Sequence, residues 1–129
     1  NKDSTLIVYG HLPHMITTQC LLDNCARCQK ERGYTGYHIL KDRVGKEYRV
    51  VNRCDSCYNI IYDGQAVSLL EDVDTIKTMG HKWLRLDFTM ESGEQTEQIL
   101  QAFRNTFCEG KEAVTLPNTT KGHFYRGIE

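Results

Sequence analysis

The stretch "YHILKDRVGKEYRVV", residues 37–51, decides how the middle of this chain is read. It holds two extended runs broken at Arg43-Val44-Gly45, and its length and glycine placement read as a β-hairpin. "YNIIYD", residues 58–63, offers a third strand, so residues 36–63 are expected to form an antiparallel β-meander. Cysteines bracket it. Five of the six in the chain, Cys20, Cys25, Cys28, Cys54 and Cys57, fall just before the hairpin or between its second strand and the third.

Outward from the meander the character changes. "TLIVYG", residues 5–10, reads as a buried strand that stops at Gly10 and leaves through a tight loop containing Pro13. On the other side, "SLLEDVDTIKTMG" places Leu69, Leu70, Val73, Ile76 and Met79 at helical spacing, with acids in the first turn and Gly80 as the stop. "KWLRLDF", residues 82–88, alternates as a strand, and "GEQTEQILQAFRNTFCEG" repeats the helical pattern through Ile99, Leu100, Phe103 and Phe107. Helix, strand and helix in that order suggest a βα-type layer in which consecutive strands run parallel. The fold class is therefore mixed α/β with an inserted meander. One domain over 1–129 is expected, divided into strand and Cys-rich loop (4–35), meander (36–63), helix-strand-helix (68–110) and tail (111–129).

Composition narrows the function classes. Of 129 residues, 40% are hydrophobic and 26% charged, an ordinary globular balance, and the formal net charge is -1. No global basic field advertises nucleic acid. The longest apolar runs fall far short of the roughly 20 residues of a membrane helix, and no secretory signal opens the chain, so a cytoplasmic, reducing location is expected.

In such a compartment the cysteines lean toward metal or redox chemistry. Cys25-x2-Cys28 and Cys54-x2-Cys57 are separated by 25 residues, and a hairpin between them can bring both knuckles together. Paired knuckles turn their sulfurs to one side and suit zinc or an iron-sulfur cluster, with Cys20 as a fifth donor. Free or disulfide-bonded cysteines without metal are the alternative. Cys108, late in an amphipathic helix, reads as a core residue. His11 and His14 flank Pro13 just after the expected strand end, where functional loops sit, and are candidates for a ligand or a general base near the cysteines. Asp42-Arg43 is accounted for by turn chemistry, and Asp87 by an ordinary ion pair. No Ser-His-Asp order, zinc-protease His-Glu-x-x-His or phosphate loop is present.

Taken as an ordered series, "LIVYGHLPHM", the Cys20, Cys25 and Cys28 loop, the hairpin, Cys57, "LRLDFTMES" and the closing "TKGHFYRGIE" resemble the C-terminal part of the collagenase-like peptidases, family U-32. The likeness runs from Leu6 to Glu129. It implies that the chain is a fragment keeping the last elements of a (β/α) barrel with the inserted meander. It also implies a hydrolase acting on polypeptides by an unassigned mechanism, the fragment alone being inactive. Some relatives are instead iron-sulfur, oxygen-independent hydroxylation factors for RNA bases or quinone precursors. Carried over, Cys20, Cys25, Cys28 and Cys57 match the family's cysteines and are the expected ligands of a metal or 4Fe-4S centre, with Cys54 as alternative to Cys57. The substrate-loop candidates His11 and His14 stand where Arg and an aliphatic residue are common in the family. The catalytic residue stays unassigned. A third reading is a non-catalytic zinc-knuckle module that binds a partner, or a folded fragment with no cofactor. Leu6–Tyr9 and Trp83–Phe88, if left as open edges by missing barrel strands, predict a homodimer or strand swap.

Overall fold

The computed structural model describes residues 2–22 and 35–126. The expected hairpin is strands β2 (Thr35–Lys41) and β3 (Glu47–Arg53), paired antiparallel with Tyr37 opposite Val51 and Ile39 opposite Arg49. Asp42 builds the turn: its Oδ1 accepts from the N–H groups of Val44 and Lys46, both at 2.9 Å, while Gly45 takes φ 86°. Strand β4 (Tyr58–Ser68) completes the antiparallel meander, with Asn52 opposite Asn59 and Val51 opposite Ile60. Near its middle, Gly64 passes so close to the Glu47 carbonyl that any β-carbon would collide with it.

Strand β1 (Lys2–Thr17) is longer than the sequence suggests. Gly10 and Pro13 read as a stop and an exit loop, yet the strand runs through both. The reason lies at Gly10, where a β-carbon would sit 2.9 Å from the Asp87 carbonyl oxygen. This glycine marks a close approach between two strands rather than an ending. His11 and His14 are consequently strand residues and not loop residues.

The remaining elements are a 3-10 turn (Leu70–Asp72), helix α1 (Val73–Met79), strand β5 (His81–Asp87), helix α2 (Gly93–Phe107) and the short β6 (Thr119–Thr120). Helix α1 ends where expected: Gly80 adopts φ 70° and its N–H reaches the Lys77 carbonyl. Helix α2 starts with a reciprocal capping box, Gln95 N–H to Ser92 Oγ and Ser92 N–H to Gln95 Oε1. β5 pairs parallel with β1, Leu6 opposite Leu84 and Gly10 opposite Asp87; the parallel sense fits the βα pattern, while the partner is a strand distant in sequence and not the preceding one.

The chain divides into two compact units, Asn1–His11 with Gln65–Glu129, and Leu12–Gly64, and strands β1 and β4 contribute to both. In the unit of residues 12–64 the strand order is β2-β3-β4-β1; in the other it is β4-β1-β5, with β6 beside β4. Of the two expected open edges, Leu6–Tyr9 is thus flanked on both sides, whereas β5 ends the order and leaves Trp83 60% exposed.

The apolar core of the first unit gathers Val8, Tyr9, Ala66, Leu69, Leu70, Ile76 and Phe103. Phe103 is its aromatic hinge, edge-on to Tyr9 at 6.2 Å and stacked on Phe107 at 5.8 Å. Cys108 does not join this core. It is exposed as the cap residue of α2, its N–H bonded to the Arg104 carbonyl, because the apolar stripe ends one residue earlier at Phe107. Among the described residues no helix is long and apolar enough to cross a membrane. Replacing Phe103 with Ala is expected to cost about 3–5 kcal/mol in denaturant unfolding. Leu100→Ala, on the exposed side of the same helix, should change stability by less than about 1 kcal/mol.

Candidate functional site

Two clusters of polar side chains stand out, one in each unit. The first grows from the middle of β1, at Tyr9 and His11, and from the loop that follows β5. Glu91 sits in that loop with its side chain only 6% exposed, and every approach to its carboxylate is a donor. Oε2 accepts from the N–H groups of Thr89 at 2.8 Å and Met90 at 3.1 Å. Oε1 accepts from the Tyr9 hydroxyl at 3.0 Å, and His11 Nε2 lies 3.4 Å from it. Burial pushes the Glu91 carboxyl up, but the hydrogen bonds from His11 and from the backbone N–H groups outweigh it and bring it down to about 2. Burial and the adjacent Glu91 charge push the Tyr9 hydroxyl the other way, well above its ordinary range. At neutral pH the arrangement is therefore a carboxylate held by a phenol that stays protonated. Such a carboxylate is a weak base. On β5, Arg85 Nε is 2.5 Å from Asp87 Oδ1, the ion pair expected for Asp87.

The second cluster belongs to residues 12–64 and carries the cysteines. The Cys54–Cys57 knuckle is the turn between β3 and β4. It is closed by Ser56 N–H to the Arg53 carbonyl at 3.2 Å, and Cys57 Sγ lies 3.9 Å from the Cys54 carbonyl oxygen. Cys57 adopts φ 52°, a left-handed conformation in which Gly or Asn is more comfortable. Cys20 and Cys54 are half-buried and Cys57 is exposed. Cys25 and Cys28, the other two expected ligands, lie outside the described residues. Among the described residues no group of three or more His, Cys, Asp or Glu is disposed to hold a metal ion, so a four-thiolate centre needs Cys25 and Cys28.

Beneath the knuckle lies a buried amide pair. Asn52 and Asn59 are 1% and 0% exposed and face each other across β3 and β4, Asn52 Nδ2 donating to Asn59 Oδ1. Asn59 Nδ2 in turn donates to the carbonyls of Gln19, at 2.6 Å, and Thr17, at 3.4 Å. One side chain therefore joins the segment entering Cys20 to the strand leaving Cys57. A buried amide left without these bonds would cost roughly 1–3 kcal/mol. Asn52 Oδ1 is a buried acceptor with no hydrogen-bond partner among the described residues.

The two histidines are not a matched pair. His11 serves Glu91, while His14, 47% exposed, meets Asp63 Oδ2 at 3.1 Å, a carboxylate shared with Lys46 at 3.2 Å. His14 also packs edge-on against Tyr48. Tyr9, Glu91, Asn52 and Asn59 carry no motif, and only their burial and partners reveal them. A scan against protein-family models finds no match, and neither do searches of curated proteins and of solved structures.

The depressed Glu91 carboxyl fixes a sign. A group whose folded value lies below its unfolded value stabilises the fold above the unfolded value, and that contribution is lost as pH falls from about 4.5 toward about 2. Thermal unfolding followed from pH 6 to pH 2 should show a loss on the order of 2 kcal/mol across that window, and Glu91→Gln should remove this part of the pH dependence.

Proposed function

We propose that this chain is the C-terminal part of a U-32-type, collagenase-like peptidase, a hydrolase of polypeptides in its full-length form. Its cysteines would hold a metal or 4Fe-4S centre: Cys20, Cys25, Cys28 and Cys57, with Cys54 as the alternative to Cys57. The observation that carries the centre is the Asn59 side chain, which ties the Cys20 segment to the strand that begins just after the Cys54–Cys57 knuckle. The left-handed backbone at Cys57 supports it too, because a residue other than Gly or Asn at that angle calls for a reason in its side chain. The parallel β1–β5 pair, with helix α1 leading into β5, supports reading the first unit as the last elements of a (β/α) barrel.

The chemistry of the described thiols supports such a centre. Half-buried and exposed thiols at a strand turn, with a buried amide behind them, suit thiophilic metals and clusters. When bound, a cluster supplies electron transfer and zinc supplies a cross-link. The chain's own residues do the rest: Asn59 orients the ligand segments, and the Tyr9, His11 and Glu91 set fixes the loop after β5 where a substrate would be met. An iron-sulfur hydroxylation factor acting on RNA or a quinone precursor is the second reading, favoured by the all-thiolate donor set.

Metal and acid-labile sulfide should be measured on protein purified without oxygen, together with its absorption spectrum. About four irons and matching sulfide, lost in a Cys25→Ser, Cys57→Ser double variant, are the outcome expected for a 4Fe-4S centre. One zinc would assign a structural knuckle instead. Neither metal in an intact fold would sink the centre. Peptide cleavage by the full-length protein then separates the peptidase reading from the hydroxylation reading.

A further inference from the structure

We infer that the groove between helix α2 and residues 111–114 is a docking site for a lysine- or arginine-bearing stretch of an extended polypeptide. The inference asks nothing of the cysteines, and because it concerns binding without turnover it stands apart from the peptidase reading. Both walls belong to the unit that holds the aromatic core. The groove measures about 560 Å³, the size of a small-ligand site. One wall is the polar face of α2 and the other is residues 111–114, which follow the helix without regular structure. That second wall is fixed in place: Lys111 N–H donates to the Asn105 carbonyl at 3.0 Å, and Ala113 packs against the core.

The lining is rich in acceptors. Glu97 on the helix and Glu112 on the facing wall have no ion-pair partner among the described residues, whereas Lys111, which also lines the groove, is already engaged by Glu109 at 2.7 Å. Gln98 Nε2 donates to Glu94 Oε1 at 3.3 Å, and Gln101 Nε2 to Asn105 Oδ1 at 2.7 Å. The other ends of these amides, Gln98 Oε1, Gln101 Oε1 and Asn105 Nδ2, have no partner among the described residues, and they match the donors and acceptors of a peptide backbone. Thr106 points to an occupant. It lines the groove and is only 3% exposed, yet its hydroxyl has no hydrogen-bond partner among the described residues. A ligand that meets two carboxylates and a surplus of acceptors must bring donors and positive charge, which selects an ammonium or guanidinium group. Apolar Ala102 and Val114 suit the methylene stem that carries such a group. Length selects a chain over a free amine. From residue 97 to residue 106 the helical wall runs on the order of 13 Å at about 1.5 Å per residue, a distance that about four extended residues span.

The test is fluorescence anisotropy with a fluorescein-labelled Lys-Ala-Lys-Ala peptide, read on the whole chain. Wild type should bind it, and the double variant Glu97→Gln, Glu112→Gln should lose roughly tenfold or more in affinity. Thr106→Val, which removes the hydroxyl and keeps the shape, should lose several-fold. The control is Asp3→Asn, Glu47→Gln, which removes the same charge from exposed ion pairs outside the groove and should stay within about twofold of wild type. Should Thr106→Val not fold, Val114→Arg, at a position 55% exposed, sets a cation in the groove and should weaken binding as strongly as the Glu97, Glu112 pair. An equal loss in the control means general charge attraction and overturns the site, as do groove variants that bind like wild type. A Glu-Ala-Glu-Ala peptide that binds as well overturns the selection for positive charge. Putrescine that competes as well as the unlabelled peptide overturns the chain as occupant, and a wild type that does not bind the probe overturns the proposal outright.

Discussion

An amide withdrawn from water must find its hydrogen bonds inside the protein, and in residues 12–64 that demand shapes the chain around Asn52 and Asn59. The strands could pair without them. What they add is an obligation: the Asn59 Nδ2 donors need acceptors, and among the described residues they find the carbonyls of Thr17 and Gln19, where β1 ends. The tail of β1 is thereby held to the start of β4 at the point where the chain turns toward Cys20.

The other unit solves a comparable problem with a charge. Glu91 is buried after β5 and is stabilised by donors from three directions: its own loop, Tyr9 and His11. The same residues stand on the last positions that β1 gives to that unit. Tyr9 meanwhile belongs to the core, tilted against Phe88 and edge-on to Phe103. Packing and electrostatics meet in one side chain, whose ring is held by the aromatic cluster and whose hydroxyl holds the carboxylate. The loop just after β5 is thereby held to the middle of β1.

The meander was legible because Asp42 and Gly45 carry turn chemistry at the right spacing, and the helices because Gly80 and the Ser92–Gln95 box mark their ends. The order of elements suggested a parallel layer, but that β5 pairs with β1, three strands away in sequence, was not legible. The extent of β1 was hidden, since Gly10 and Pro13 are breakers by type and only the nearness of the Asp87 carbonyl explains the glycine. Cys108 was misread for a related reason: periodicity gives the face of a helix but not the turn at which the core stops. Within the sites, cysteine spacing located the knuckle, but Glu91 and the two asparagines left no trace in the sequence. A carboxylate and an amide become informative only when burial shows that their bonds are obligatory.

The division of β1 and β4 between the two units has a consequence for how such a chain can change over time. Residues 12–64 depart along one strand and come back along its neighbour, so the segment hangs from the rest of the chain at two adjacent points of attachment. An insertion anchored in that way can lengthen, shorten or exchange its contents without shifting the register of β1 on β5, because the parallel pair ends at Gly10 and Asp87, before the segment begins. Residues 12–64 can thus change in length and composition while the aromatic core around Phe103 keeps its residues, so the two parts of the chain are free to evolve at different rates.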